Sequence, residues 1–323
     1  MKAAYYETHG TAREVLRVGE RRRPEPGPGQ VRVRIRRSAL NPLDVKLRSG
    51  YVPQSIDGYQ IPHLDGSGEI DAVGYGVEPG RVGQQVWVWF GAVKLPWGTA
   101  AEWTVVDQRN AVPLPEGISN DFAACLGIPA ITAHHCLFKD GPISGRTVLV
   151  AGGAGAVGHY AVEMAKWAGA TVVSTVSDSD KAELARKAGA DTVVNYRNSG
   201  AIQQIKAAVE HVDRIIEVDL AANLDLDLAV VGPRTTVITY AAANTNPLEL
   251  HVRACMTANV TLSFVQLLTV GASTLDVAAK GVSDALRDGA LSPLPTTNFA
   301  LDEVVAAHEA VESDLLGRVV IEV

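Results

Sequence analysis

The sequence contains very little cysteine. Only Cys125, Cys136 and Cys255 occur in 323 residues, and no two of them have Cys-x-x-Cys spacing. This argues against a disulfide scaffold and against a zinc site made of cysteines. Long apolar runs are also absent, because the most apolar stretch, residues 147–162, holds four glycines and a histidine and is too short to cross a membrane. We therefore expect no membrane partner.

The N-terminal residues reach Lys2 and Glu7 too soon to contain the apolar core of a signal peptide. We therefore expect a cytoplasmic protein.

The chain also lacks the basic excess that is typical of nucleic-acid-binding proteins. It carries 29 Lys and Arg against 36 Asp and Glu, for a formal net charge of −7. The basic residues concentrate in residues 1–50, which could form a basic arm for nucleic acid. However, Arg32, Arg34 and Arg36 alternate with Val31, Val33 and Ile35. That alternation favours a strand with its basic side in solvent, and we expect no nucleic-acid partner.

Proline and glycine divide the chain into two regions of different texture. Twelve of the 16 prolines precede residue 143, which is typical of a compact β domain with many turns. The strands predicted there are Lys2–Glu7, Val15–Val18, Val31–Arg37, Gln85–Phe90 and Ala100–Val106. After Ser119, helices and strands alternate, which predicts a parallel sheet with helices on both faces.

The second region begins with a predicted helix, Asn120–Leu137, that Pro129 interrupts. The strands predicted after it are Thr147–Ala151, Thr171–Val176, Thr192–Val194, Arg214–Val218 and Thr235–Thr239. The predicted helices are Ala156–Trp167, Asp180–Lys187 and Ala201–Val209, with a fourth between the last two strands. From Leu294 the pattern returns to strand, helix and strand, and the last strand is expected to pair back into the first region.

A glycine-rich turn connects the first strand and helix of this alternating region. Gly153, Gly155 and Gly158 fit the pattern Gly-x-Gly-x-x-Gly, which allows a tight turn, close approach of a pyrophosphate and close packing of helix on strand. Unpaired N–H groups at the start of the helix attract the anion. A purely structural turn is the alternative. The strand before and the helix after favour a dinucleotide site formed by Gly152, Gly153, Gly155, Ala156, Val157 and Gly158.

The residues after the second strand leave the choice between NAD and NADP open. An acid about 20 residues beyond the glycines would hold the ribose of NAD, and counting from Gly158 reaches Asp178. Counting by the end of the strand reaches Ser177 instead, with Lys181 one turn further, which favours a 2′-phosphate. Asp178 also has the position of a helix N-cap.

Several motifs together make the chain resemble a known family. They are Asn41-Pro42-Leu43-Asp44, Arg48-Ser49-Gly50, Asp65-Gly66-Ser67-Gly68, Gly98-Thr99-Ala100-Ala101-Glu102, Ile128-Pro129-Ala130-Ile131-Thr132-Ala133, the glycine turn, and Ala188-Gly189-Ala190-Asp191 leading to Asn195-Tyr196-Arg197. With them the sequence resembles the medium-chain dehydrogenase/reductase superfamily, and within it the zinc-independent quinone oxidoreductases related to zeta-crystallin.

The resemblance implies an α/β protein in which a Rossmann doubly wound sheet is inserted into a chaperonin-10 (GroES)-like β-barrel domain. We expect residues 1–118 and 288–323 to form the GroES-like domain and residues 119–287 the Rossmann domain. It also implies that Ser177, Lys181 and Tyr196 surround the adenosine 2′-phosphate, so NADPH is the expected cofactor, although Asp178 disagrees.

The resemblance further implies that zinc is absent. Zinc-dependent relatives carry a cysteine at the position of Asn41 and a His-Glu pair at Leu64-Asp65, together with a four-cysteine lobe. His134 and His135 cannot converge on one ion, because adjacent helix residues point about 100° apart. No metal ligands are predicted.

Hydride transfer needs orientation of the acceptor and stabilisation of its developing negative charge, since the reactivity belongs to the nicotinamide. The candidate polar residues are Asn41, Asp44 and Tyr51. Asn41 could instead be a turn residue before Pro42, Asp44 could orient its neighbours, and Tyr51 could merely pack.

Two further residues are expected beside the cofactor. Thr132 resembles the threonine that lines the nicotinamide pocket of the family, although a buried threonine bonded to its own helix is the alternative. Tyr240 follows a strand, and ligands bind at the carboxyl ends of parallel strands.

The sequence therefore predicts an NADPH-dependent, zinc-independent reductase of quinones or conjugated carbonyls. One alternative is an enoyl or 2-alkenal reductase of the same family, and another is a non-catalytic NADPH-binding sensor or structural protein. A homodimer is expected, because a strand at Thr261–Val265 could lie at a sheet edge and pair with its copy.

Overall fold

A computed structural model describes residues 1–242 and 248–323. The strands, in chain order, are β1 (Lys2–Tyr5), β2 (Arg17–Glu20), β3 (Gln30–Leu40), β4 (Asp65–Val73), β5 (Gln85–Val88), β6 (Trp103–Asp107), β7 (Ala111–Pro113), β8 (Thr147–Ala151), β9 (Thr171–Val176), β10 (Thr192–Asn195), β11 (Val212–Glu217), β12 (Val231–Thr239), β13 (Thr261–Phe264), β14 (Thr296–Ala300) and β15 (Arg318–Glu322).

The α-helices are α1 (Ala12–Val15), α2 (Pro42–Ser49), α3 (Asn120–Ala124), α4 (Gly127–Phe138), α5 (Ala156–Trp167), α6 (Ser179–Lys187), α7 (Ala201–Ala208), α8 (Leu220–Val230), α9 (Val252–Ala258), α10 (Ala272–Arg287) and α11 (Val304–Glu312). Among the described residues, none of these helices combines the length and the apolarity that crossing a membrane requires.

The chain divides into two compact units. Unit 1 comprises Met1–Ile128 and Pro293–Val323, and unit 2 comprises Pro129–Ser292. The sequence placed the boundaries at 118/119 and 287/288. Residues 119–128 belong to unit 1 because α3 packs on β3 and β4, and Ser67 Oγ donates to Asn120 O at 2.8 Å. Ser292 belongs to unit 2 because its N–H donates to the Glu163 carboxylate of α5.

Unit 1 is built on a mixed sheet of seven strands. The order is β14-β15-β3-β4-β5-β7, with β6 paired to β3, while β1 and β2 form a separate antiparallel ladder. The predicted return of the last strand is confirmed, because β15 pairs antiparallel with β3 in the register Val319↔Leu40. Val31, Val33 and Ile35 fill the core beneath this sheet.

Two local predictions in unit 1 need correction. Arg34 and Arg36 are exposed as expected, but Arg32 is buried, because its guanidinium pairs with Asp71 at 2.8 Å. The predicted strand Val15–Val18 is split between α1 and β2, since Glu14 Oε2 accepts from the Thr11 N–H and starts a helical turn. Many of the other arginines in residues 1–50 stack on aromatic rings or form ion pairs.

The predicted helix Asn120–Leu137 breaks earlier than expected. α3 ends at Ala124 and α4 begins at Gly127, so Pro129 lies in the first turn of α4. Proline is tolerated there, since the first N–H groups of a helix have no intrahelical partner.

Unit 2 contains a parallel six-stranded sheet. Its order is β10-β9-β8-β11-β12-β13, which is the strand order of a Rossmann fold. The carboxyl ends of β8, β9 and β11 therefore meet at one edge. The sequence predicted β8, α5 and β9 with their observed bounds.

Candidate functional site

The glycine turn between β8 and α5 uses its glycines for different purposes. A Cβ built on Gly153 would lie 2.0 Å from Ser174 Oγ, and one on Gly158 would lie 2.2 Å from Gly152 O. These two positions are closed by packing. A Cβ on Gly155 would meet only Gly152 O, at 3.3 Å. Gly155 is thus the glycine whose open side leaves room for a ligand beside the N-terminus of α5, where Ala156 and Val157 follow.

Gly152 begins the turn in the left-handed conformation, with φ +68. Its N–H donates to Thr175 O at 3.0 Å, which ties the turn to β9. A glycine is needed here, because other residues rarely adopt this conformation without strain.

The predicted adenosine residues gather beyond the ends of β9 and β10. These strands pair with Asn195 opposite Val176, and Tyr196 N donates to Val176 O at 3.0 Å. Ser177 is buried, whereas Tyr196 is 43% exposed. Ser177 directly follows β9, Tyr196 directly follows β10, and Lys181 lies in the first turn of α6.

Asp178 caps α6. Its Oδ1 accepts from the Lys181 N–H at 2.9 Å, and its Oδ2 accepts from Ser177 Oγ at 2.9 Å. These hydrogen bonds, above all that from the Lys181 N–H, lower the pKa of the Asp178 carboxyl. Both oxygens are engaged by the protein, as expected for an N-cap.

Thr132 and Tyr240 both belong to unit 2, where Thr132 is buried and Tyr240 is half-buried. Thr132 is buried in α4, and Cys136 follows one turn later. Burial raises the pKa of Tyr240, and the charge of a Cys136 thiolate raises it further, so Tyr240 lies near this face of α4. Its N–H donates to Glu217 O at 3.2 Å, which fixes it beyond β12.

Asn41 and Asp44 belong to one buried network at the start of α2. Asp44 Oδ2 accepts from the Asn41 N–H at 2.7 Å, and Oδ1 accepts from the Leu64 N–H at 3.0 Å. The Asn41 side-chain amide donates to Asp65 Oδ2 at 2.7 Å, and its oxygen accepts from Arg318 Nη2 at 3.0 Å. Asn41 is only 2% exposed. The polar atoms of Asn41 and Asp44 therefore form hydrogen bonds with other residues of the protein.

Two carboxyl groups in this network are costly to ionise. Burial raises the pKa of Asp44 to about 8, and the charge of Asp65 adds to this. Burial likewise raises the pKa of Asp65 to about 7, against the opposing hydrogen bond from Asn41. A low dielectric disfavours the charged form, and each donated hydrogen bond restores part of its stability.

A buried chain of hydrogen bonds lies beside this network. Thr99 Oγ1 donates to Asp65 O at 2.6 Å, so it accepts from Ser38 Oγ at 2.8 Å. Ser38 in turn accepts from His63 Nδ1 at 2.8 Å, and His63 Nε2 then accepts from His308 Nε2 at 3.1 Å. This direction satisfies every donor in the chain with both imidazoles neutral. Burial lowers the pKa of His63 to about 3 and that of His308 well below 6.5.

Tyr51 stands apart from both buried sets. It follows the left-handed Gly50 that ends α2, and it is 53% exposed. The Lys46 ammonium lies 5.6 Å from its ring centroid. No hydrogen bond joins its side chain to Asn41 or Asp44 in the part of the chain that the structure describes, so its phenol remains open to solvent.

Sequence reasoning missed the partners that organise these residues. Asp65 appeared only within a family motif and at the position of a zinc-binding pair, and Arg318 was not singled out in the last strand. Their roles come from pairing between residues far apart in the chain, which no local pattern shows. Glu217 was also missed, although an acid directly after the apolar Ile215-Ile216 at a carboxyl strand end is a detectable signal.

Two family models match the chain in the regions just described. Residues 27–116 match the alcohol dehydrogenase GroES-like domain, and residues 156–278 match the zinc-binding dehydrogenase domain. The first match lies in unit 1 and the second in unit 2.

Relatives and solved structures extend this likeness. A quinone oxidoreductase of Pseudomonas aeruginosa is 30% identical over 240 residues, which cover 72% of this chain and 70% of the relative. A mycobacterial protein solved with NADPH is 25% identical, with a TM-score of 0.85 and full coverage of both chains. An NAD-dependent alcohol dehydrogenase is also 25% identical, with a TM-score of 0.91 and full coverage of both chains.

These findings define the class of the protein. It is an oxidoreductase of the medium-chain dehydrogenase/reductase superfamily, with a GroES-like domain and a Rossmann domain. Within that superfamily the chain belongs to the quinone oxidoreductase family. The resemblance drawn from the sequence motifs and the expected fold class are confirmed.

Proposed function

We propose that this protein transfers a hydride from NADPH to a quinone or a closely related conjugated carbonyl. The observation that carries the proposal is the glycine turn, in which a Cβ on Gly153 or Gly158 would clash with the protein, whereas one on Gly155, at the N-terminus of α5, would approach only Gly152 O, at 3.3 Å. Relatives named quinone oxidoreductases and the neighbour solved with NADPH support the choice of acceptor and cofactor. The cofactor supplies the hydride, and the protein binds and orients.

The preference for NADPH rests on the residues after β9. The Asp178 carboxylate is already used by the Lys181 N–H and by Ser177 Oγ. It is therefore poorly placed to accept from a ribose hydroxyl, as an NAD-specific acid must. Lys181 and Tyr196 at this sheet edge fit a 2′-phosphate, since phosphate binding uses ammonium and hydroxyl donors. Ser177 joins them when its hydroxyl donates to the phosphate instead of to Asp178 Oδ2.

In unit 1 we assign different roles to the three predicted polar residues. Asn41 and Asp44 are positioning residues, because their polar atoms hold Asp65, Arg318 and Leu64 in place. Tyr51 is the accessible donor and hydrogen-bonds the acceptor oxygen as negative charge develops. One such donor contributes about 3–4 kcal/mol, and orientation of the acceptor contributes about 7–11 kcal/mol at best.

The residues at the position of a zinc ligand set do not fit that metal. Asn41 replaces a cysteine, and its amide oxygen is already taken by the Arg318 guanidinium. Both oxygens of Asp65 accept from the Ile128 N–H, at 3.0 and 2.9 Å. A guanidinium beside these groups also opposes a second cation. We therefore propose a reaction that uses no zinc, and treatment with a chelator should leave the rate unchanged.

We further propose a homodimer formed through β13. Among residues 1–242 and 248–323, this strand is the edge of the unit 2 sheet and pairs only with β12. Phe264 on it is 72% exposed. An edge strand with free N–H and C=O groups readily pairs with a second copy.

Steady-state rates test the function directly. Oxidation of NADPH should be measured with a benzoquinone, a naphthoquinone and a short enal, and then repeated with NADH. We expect turnover of the quinones and a preference for NADPH. Turnover confined to the enal would replace the quinone assignment by an alkenal reductase. Quenching of tryptophan fluorescence by NADPH without turnover of any acceptor would instead indicate a binding protein.

A further inference from the structure

A pair of buried carboxyl groups lies where β11 ends. Glu217, the last residue of β11, and Asp227 on α8 are both fully buried. Glu217 Oε1 accepts from the Asp219 N–H at 2.5 Å and from Asn223 Nδ2 at 2.9 Å. Glu217 Oε2 and both oxygens of Asp227 receive no hydrogen bond from the described residues. The carboxyl groups of Glu217 and Asp227 face each other.

This arrangement requires a proton. Two carboxylates in contact and away from water cannot both stay ionised, because burial and mutual repulsion disfavour the second charge. Burial raises the pKa of Asp227 to about 9, and the Glu217 charge adds to this. Burial also raises the pKa of Glu217. One proton between Glu217 Oε2 and an oxygen of Asp227 gives each carboxyl group a hydrogen bond on the side where it otherwise has none.

The groups around the pair do not supply a compensating positive charge. Asp219, at the start of α8, faces Glu217 with a further negative charge. Tyr240, which follows β12, is close enough for Glu217 to raise its pKa. Within residues 1–242 and 248–323, no Lys, Arg or His side chain forms an ion pair with Glu217 or Asp227. The shared proton is therefore what neutralises the pair.

The same pair holds a turn that lies beside the glycine turn. Glu217 binds the Asp219 N–H and the Asn223 side chain, which closes the chain between β11 and α8. Val218 lies within this closed segment. A Cβ built on Gly152 would be 3.5 Å from Val218 Cγ1, so Val218 is the side chain that lies next to this face of Gly152. The carboxyl pair is thus connected to the glycine turn through Val218.

We propose that the proton shared by Glu217 and Asp227 holds the segment 217–223 against the glycine turn and thereby sets the affinity of that turn for the dinucleotide. Both acids are positioning residues, since they act through Val218. When the proton is lost, two negative charges face each other, and the segment opens to admit water. Gly152 then loses Val218 as its neighbour. This inference rests on the proposed binding of NADPH at the glycine turn.

The dissociation constant of NADPH, measured from neutral pH to about pH 10, tests the proposal in wild type and in Asp227→Asn. The asparagine donates permanently to Glu217 Oε2, as the protonated acid does. We expect wild-type affinity to fall about tenfold as pH passes the Asp227 pKa of about 9. Asp227→Asn should keep the neutral-pH affinity within about twofold and remove most of this fall.

The difference between the two proteins is diagnostic, because lysines near the phosphates lose charge in both. A parallel fall in wild type and Asp227→Asn, or no fall in wild type, would overturn the inference. Glu217→Gln, which can donate to Asp227, replaces the first variant if that one does not fold. Asp44 and Asp65 are also buried acids with raised pKa values, so the infrared carbonyl band of the shared proton is read from the difference between wild type and Asp227→Asn. That difference band should be present at neutral pH and vanish with the affinity. Its absence at neutral pH also overturns the inference.

Failure of the proposed function has a different signature. If wild type does not bind NADPH at any pH, the assignment of the glycine turn is wrong. If wild type binds NADPH with an affinity that does not respond to alkaline pH, the assignment stands and only the role of the carboxyl pair is wrong.

Discussion

The Asn41 side-chain amide donates to Asp65 Oδ2 across 2.7 Å, while its carbonyl oxygen accepts from Arg318. One small side chain thus joins the start of α2, the start of β4 and the start of β15. All three residues are buried. The main role of Asn41 is therefore to stabilise unit 1.

Replacement of Asn41 by alanine tests this assignment. Asn41→Ala leaves the buried Asp65 carboxyl without one donor, so the free energy of unfolding should fall by about 1–3 kcal/mol. Denaturant titration measures the change, and Asn298→Ala, at an exposed position, serves as the control. Unchanged stability together with a collapsed turnover rate would instead assign Asn41 a direct role in catalysis.

Gly155→Ala should weaken NADPH binding without damaging the fold. The new methyl group meets only Gly152 O, at 3.3 Å, and the backbone at φ −76 and ψ 164 accepts any residue. The methyl group enters the path of the pyrophosphate, so we expect a loss of affinity of about tenfold or more, and a larger loss for Gly155→Val. Titration calorimetry and thermal melting separate binding from folding.

Gly158→Ala is the matched control for that experiment. Its Cβ would lie 2.2 Å from Gly152 O, so this variant should lose stability before it loses affinity. Equal affinities of wild type and Gly155→Ala would contradict the placement of the pyrophosphate.

Lys181→Ala should discriminate between the two cofactors. If Lys181 binds the 2′-phosphate, its loss weakens NADPH by about 1–3 kcal/mol and leaves NADH nearly unchanged. Dissociation constants for both dinucleotides give the answer. Lys187→Ala on the same helix, where the ammonium pairs with Glu183 at 2.7 Å, should affect neither. Equal losses for NADPH and NADH would refute the 2′-phosphate assignment.

The buried imidazoles of His63 and His308 should make the protein less stable in acid. Both pKa values are lowered by burial, so below about pH 6.5 the unfolded chain binds protons that the folded chain does not. Their contribution to stability is therefore present above about pH 6.5 and is lost as pH falls toward 3.

His308→Gln isolates this effect, because an amide does not titrate. Relative to wild type, its free energy of unfolding should improve by about 1.4 kcal/mol for each pH unit below about pH 6. Unfolding curves from pH 7 to about pH 4 provide the measurement. His251→Gln, at an exposed side chain, should run parallel to wild type. A His308→Gln curve that also runs parallel would contradict the buried neutral state.

Phe264→Asp should convert the proposed dimer into monomers. The side chain is 72% exposed in one chain, so the substitution spares the fold but puts like charges together across the proposed β13 pair. Sedimentation velocity measures the mass. Val277→Asp, at another exposed apolar side chain, should leave the dimer intact. A wild-type monomer, or a Phe264→Asp dimer, would rule out the β13 interface.

Much of unit 2 could be predicted from the sequence. The two strands between Thr147 and Val176 are short apolar runs, and the helix between them has apolar residues at helical spacing. Glycine marks the turn between β8 and α5. These signals are local, and the parallel order follows from the alternation of strand and helix.

The polar network of unit 1 could not be predicted in the same way. Asn41, Asp65 and Arg318 come together only because β15 pairs with β3. The alternation of apolar and basic residues likewise predicted that the Arg32 side chain faces solvent. It is buried instead, because Asp71 and Pro24 O accept hydrogen bonds from its guanidinium. Long-range pairing decided both cases.

The pairing of β15 with β3 also orders events during translation. Because β14 and β15 are synthesised after residues 129–292, the ribosome releases every element of unit 2 before unit 1 can close its sheet. Until then residues 37–40 of β3 expose a strand edge, and Asn41 lacks its hydrogen bond from Arg318, which lies 277 residues away in the chain. A nascent chain that stalls in this interval would carry a finished nucleotide domain and an open, aggregation-prone partner.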